Sequence, residues 1–157
     1  MTFKAAVAAT PDLAGSWRAG FGALRTADRK YLQAENTRRL VGSADLNKAL
    51  QRNHPSDPRW DYAIGHNSTN AASEVVYWVE IHPATEGQVK VVLNKLAWLR
   101  TWLRKSAPRL DSLQCAFVWI SSGRTSFTQL SPQAKILAAR GLRHIGARFR
   151  IPDALAT

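Results

Sequence analysis

Little in this chain would staple it or hold a metal through sulfur. Its 157 residues include one cysteine, Cys115, which excludes an intrachain disulfide and removes the ligand sets of zinc fingers and zinc deaminases. Cys115 lies in the apolar run Gln114 to Ile120, so a buried, inert thiol is expected. The histidines, His54, His66, His82 and His144, show no paired spacing, so a structural zinc site is not expected. Glycine-rich phosphate loops, the dinucleotide fingerprint and the Gly-x-Ser-x-Gly elbow are all missing. P-loop nucleotide hydrolysis, dinucleotide binding and serine-hydrolase chemistry are accordingly disfavoured. Long apolar runs are lacking too, none approaching the roughly 18 to 20 residues that cross a bilayer. Met1 to Thr10 carries one lysine and a weakly apolar alanine stretch, a poor secretion signal. A cytoplasmic protein with no membrane partner is expected.

Acidic charge is scarce in one half only. Residues 1 to 86 hold 10 Lys/Arg against 9 Asp/Glu, whereas residues 87 to 150 hold 12 against the lone Asp111. The formal net charge of +11 is therefore local. A one-signed field of this kind attracts polyanions, and nucleic acid is the leading partner, DNA ahead of RNA. Lys95, Arg100, Arg104 and Lys105, with Arg124 beyond them, are the candidate phosphate contacts.

A chain of this length suits a single domain, able to bury roughly two thirds of its unfolded surface. Residues 1–57 read as a helical N-terminal part. One helix is predicted from a cap at Thr26-Ala27-Asp28 through Tyr31, Leu32, Glu35 and Arg39 to a stop at Gly42-Ser43, and a short one from Ser43 to Leu50. Two prolines between Asn53 and Pro58 end this zone. Residues 58–152 alternate as an α/β core, a small mixed central sheet flanked by helices. Trp60 to Ile64 and Val75 to His82 are predicted strands forming a hairpin around the loop Gly65 to Ala72, and Pro83 is predicted to end the second. A long helix follows from Thr85 to Lys105, with Val89, Val92, Leu96, Leu99 and Leu103 on its apolar stripe. Trp98 and Trp102 beside that stripe read as core, with base stacking the lesser alternative. Then come a strand from Ala116 to Ile120, a turn at Gly123-Arg124, a helix from Ser131-Pro132 to Arg140 and a last strand near Arg148 to Ile151. The segment Ser121 to Arg124 reads as an ordinary turn rather than a phosphate-binding nest.

Two acids stand out because their strands are otherwise aromatic and β-branched. A hairpin would bring Asp61 and Glu80 to one place, and two converging carboxylates suit Mg²⁺ or Mn²⁺, which prefer oxygen ligands and bridge to phosphate. The competing expectation is a pair of surface acids, or acids paired with arginines.

This order of elements, with Asp61 on the first strand of the hairpin and Glu80-Ile81-His82 on the second, resembles the restriction-endonuclease-like superfamily, PD-(D/E)XK, over residues 26 to 121. The resemblance implies that Asp61 and Glu80 hold a divalent metal, with Glu35 supplying the acid that the family's first helix often adds and the Ile81 carbonyl a further ligand. His82 stands where the family usually has lysine, and the resemblance offers Lys90 or Lys95 on the following helix as the missing cation. Imidazole could act there as base, donor or ligand. Three functions follow as expectations: a metal-dependent phosphodiesterase, a decayed binding module within a dimer or larger assembly, and a basic domain that docks an acidic protein.

Overall fold

A computed structural model describes residues 1–125, 127–128 and 130–156, with the side chain of Arg124 outside the description. The chain forms α1 (Phe3–Ala8), β1 (Trp17–Arg18), β2 (Leu32–Ala34), β3 (Leu40–Asp45), α2 (Leu46–Leu50), β4 (Tyr62–His66) and β5 (Val75–Ala84). It continues through α3 (Glu86–Ser106), α4 (Pro108–Asp111), β6 (Cys115–Thr125), α5 (Pro132–Ala139), β7 (Leu142–Gly146) and β8 (Phe149–Ile151). One mixed sheet runs β1-β3-β4-β5-β6-β7, antiparallel up to β5 and parallel from β5 to β7. The parallel joins need crossovers, which α3 and α5 supply. The expected α/β class, a mixed central sheet with flanking helices, is what the chain adopts.

Strand alternation explains how the sheet is covered. On one face Ala63, Val76, Trp78 and Trp119 meet Phe3 and Val7 of α1, the stripe Val92, Leu96, Leu99 and Leu103 of α3, and Leu137 of α5. On the other, Tyr62, Ile64, Tyr77, Val79, Val118 and Ile120 meet Leu24, Leu32, Phe149, Ile151 and Leu155. Being covered on both faces, β5 reads as an almost unbroken apolar run. A Cβ on Gly65 would lie 2.4 Å from the Phe3 ring, so only glycine lets α1 sit against β4. Pro83 does not end β5. The last pair with β4 is Tyr62 with Val79, so at Pro83 the strand has run beyond that neighbour, where a missing N–H costs nothing on that side.

The N-terminal part departs from the expected helices. Residues 26–31 and 37–39 are 3-10 turns, while Leu32–Ala34 forms a strand parallel to β8 and Leu40–Asp45 a central strand. The apolar positions read there as helical belong to pairings with partners far along the chain, Leu32 with Phe149 and Ala44 with Ala63. The second helix begins only at Leu46, where the Asp45 side chain caps the Lys48 N–H. A strand at Leu142–Gly146 is additional, β6 runs on through Gly123 to Thr125 in place of the expected turn, and Cys115 is half-buried rather than fully enclosed. Among the described residues no helix is long and apolar enough to cross a membrane.

Candidate functional site

The sheet register brings the two singled-out acids to the end of the hairpin ladder. The last β4–β5 pair is Tyr62 with Val79, and Asp61 and Glu80 are the next residues on the two sides of it, Glu80 turning to the face that α3 covers. Asp61 sits just before β4, and its Oδ2 accepts a 2.9 Å hydrogen bond from the Ile81 N–H, extending the ladder by a side chain. Asp61 is 7% exposed and Glu80 0%. Burial, reinforced by the charge of Glu80, pushes the Asp61 carboxyl up to about 7, with the Ile81 N–H, Lys95 and Arg25 pulling the other way.

Three cationic or titratable side chains converge on this pair. Lys95 reaches down from α3 and places Nζ 2.6 Å from Glu80 Oε2. Arg25, just before the 3-10 turn of residues 26–31, has its guanidinium 3.8 Å from Asp61 Oδ1 and 3.4 Å from Asp28 while donating to the Tyr62 hydroxyl. His82 turns Nδ1 toward Glu80 Oε2 at 3.5 Å and Nε2 toward Gln88 Oε1 in the first turn of α3. Its pKa is raised by the bond to Glu80, with burial opposing. Both ring nitrogens therefore face acceptors, which suits a donating imidazolium better than a base.

Of the residues singled out from sequence, Asp61, Glu80, His82 and Lys95 come together. Glu35 does not: it is exposed beside the β2–β8 pair, where its Oε2 accepts from the Asp153 N–H, because the helix that would have carried it is absent. Lys90 is exposed on α3, five residues and well over a full turn from Lys95, and no contact among the described residues joins it to the carboxylates. Arg25, Asp28 and Gln88 were not anticipated. Gln88 falls in the first turn after the hairpin and was within reach of a spacing argument, whereas nothing local in the sequence marks Arg25.

The basic residues of α3 do not form one surface. At about 100° per residue, Arg104 lies roughly half a turn round the helix from Lys95. Lys95 is committed to Glu80, while Arg100 lies over the Phe117 ring at 4.8 Å and, with Arg104 and Arg140, lines a groove beside α5. Lys105 is exposed on another flank, and the side chain of Arg124 lies outside the described residues. The tryptophans are structural: Trp102 is buried and donates to Asp12 at 2.9 Å, and Trp98 stacks on it with centroids 6.2 Å apart.

Could this site take a divalent cation? Glu80 Oε1 is buried with no hydrogen-bond partner among the described residues, and carboxylate oxygens of this kind are the donors that Mg²⁺ or Mn²⁺ prefers. Glu35 is not there to complete it, and no cluster of three or more His, Cys, Asp or Glu among the described residues is arranged to hold a metal. Asp61 and Glu80 are thus the two side chains that would hold a cation. No family model, curated protein or solved structure matches the chain.

Proposed function

We propose that this chain is a metal-dependent phosphodiesterase acting on nucleic acid, of the restriction-endonuclease-like kind. The observation that carries the reading is the lysine: Lys95 arrives from the helix after the hairpin and sets its ammonium on Glu80, across from Asp61, supplying the fixed positive charge that an imidazole at position 82 does not. The order of a hairpin, a crossover helix and a parallel strand supports it further.

A bound Mg²⁺ or Mn²⁺ would supply an activated water and neutralise charge on the phosphoryl oxygens. The chain's own residues divide the remaining work. Asp61 and Glu80 give the acidic seat, and burial raises the field they exert. Lys95 orients Glu80 and presents positive charge where a pentavalent phosphate would gather negative charge. His82, held by Gln88, is placed to donate a proton from Nδ1 on the same side.

Asp61 gives this reading a pH signature. Its carboxyl is protonated below about 7, so a cation must expel a proton to bind there, and Mn²⁺ affinity is expected to fall about tenfold per pH unit below that point. The metal-free fold should show the opposite trend. A carboxyl raised in the folded state adds stability that is complete below its unfolded value near 3.9 and is lost as pH rises through about 7. Calorimetric Mn²⁺ titrations and thermal unfolding across pH 5 to 8 check both, and Asp61→Asn should flatten each profile.

The direct assay is cleavage of single- and double-stranded DNA and RNA with Mn²⁺, with and without chelator. His82→Lys should retain activity and carry the alkaline limb of the pH profile upward, since lysine titrates near 10.4. One observation favours a second reading, a decayed binding module: Asp61 Oδ2 is already taken by the Ile81 N–H, and Glu80 is fully buried with two cationic neighbours. Nucleic-acid binding without cleavage, in the parent and in His82→Lys alike, would select it.

A further inference from the structure

A wide cleft lies beside the carboxylates, in the half of the sequence where charge is almost balanced. It is a cleft of 790 Å³, within the roughly 300 to 1,000 Å³ span of ligand sites, bounded by residues 12–26 on one side and 45–59 on the other. Arg18, Arg25, Lys48 and Arg59 line it, against two carboxylates, Asp12 and Asp45. Arg25 belongs to both places at once, since the same guanidinium stands 3.8 Å from Asp61.

We propose that this cleft, and not the basic face of α3, seats the sugar-phosphate backbone of a nucleic-acid strand, with Arg25 passing the strand to Asp61 and Glu80. The inference rests on the phosphodiesterase reading and names where its substrate lies. Three features point to a phosphate chain. The cations come from both bounding segments, Arg18 and Arg25 from one and Lys48 and Arg59 from the other, as contact with more than one phosphate requires. Much of the remaining wall is built of small residues, including Gly15, Gly22 and Ala23, so the backbone of a ligand can approach closely. Among the described residues none of the lining side chains is aromatic, so the cleft offers no platform for bases and the contact is independent of sequence.

The cleft is also held open in advance. Asp12 accepts from Trp102 of α3 and from Asn53, at 2.9 and 2.8 Å, and meets His54 at 3.1 Å, which braces one wall against the main helix. Arg59 donates to the carbonyls of Asn47, His54 and Pro55 and so fixes the other wall, which it also lines. Lys48, by contrast, is exposed, and its backbone N–H rather than its ammonium is what Asp45 caps.

The experiment uses the full chain and a fluorescently labelled oligonucleotide, with anisotropy read in EDTA so that binding is measured apart from cleavage. Arg18→Glu with Lys48→Glu should weaken affinity at least tenfold and make the salt dependence shallower by roughly 0.7 to 0.9 for each phosphate no longer neutralised. Arg104→Glu with Lys105→Glu should change affinity less than threefold. In the unaltered protein, bound oligonucleotide should protect Lys48 from an amine-directed acylating reagent, a readout that needs no variant to fold. Parent-like binding by the cleft variant together with an unprotected Lys48, or a weakening confined to the α3 variant, overturns the proposal. If Mn²⁺-dependent cleavage persists in either case, the phosphodiesterase reading stands without this cleft. A parent that neither binds nor cleaves ends both.

Discussion

Lys95→Met should destabilise the fold by roughly 3 kcal/mol or more, the cost of stranding one member of a buried ion pair. Glu80 has no surface to retreat to, being 0% exposed, and Lys95 Nζ is its closest charge at 2.6 Å. His82 is the remaining counter-charge, at the looser distance of 3.5 Å. Glu80→Gln should cost much less, because the Lys95 side chain is 19% exposed and can turn its ammonium to water. The double variant Glu80→Gln with Lys95→Met should recover most of the lost stability. For a chain of this size, 3 kcal/mol corresponds to roughly 6 to 12 °C in melting temperature, so thermal unfolding of the four proteins resolves the cycle. Additive effects would mean that the two side chains do not act as a pair.

Cleavage should respond in a different order. Asp61→Asn and Glu80→Gln are each expected to lower turnover by at least about a thousandfold, near 4 kcal/mol, the scale on which a cation held by carboxylates stabilises a phosphoryl transition state. Both substitutions keep shape and remove charge, so binding measured in EDTA should survive. Glu35→Ala should leave turnover unchanged, since that carboxylate sits on the small β2–β8 sheet and engages the Asp153 N–H. Turnover that persists in both Asp61→Asn and Glu80→Gln would sink the carboxylate site. A protein in which Lys95→Met perturbs stability while no member of the set affects any cleavage would have kept the ion pair for architecture alone.

The parts of this arrangement that could be read in advance are those fixed by local pattern. The β4–β5 hairpin follows from alternation and its flanking loop, α3 from an apolar stripe of five positions, and α5 from Ser131-Pro132 at its start and Gly141 at its end. Asp61, Glu80 and Lys95 met because a hairpin and the helix after it have few ways to pack. Residues 26–39 defeated the same logic. Helical spacing there is shared by residues whose real partners are Phe149 and Ile151, and no window along the sequence contains both sides of that pairing. The error travelled to function, since Glu35 was a ligand only if its segment was a helix. Charge was legible as a total and not as a placement: on α3 the basic residues spread over several flanks, while Arg18, Arg25 and Arg59 of the nearly neutral half line one cleft.

Delivering the cation from α3 rather than from β5 ties the site to the order in which the molecule assembles. On a strand, a residue is fixed to its face by the pleat, and the ammonium would exist beside the acids as soon as the hairpin formed. Here the hairpin alone offers Glu80 only the looser charge of His82. The closer one arrives when the helix docks, so seating Lys95 on Glu80 and laying the apolar stripe of α3 on the sheet are one event.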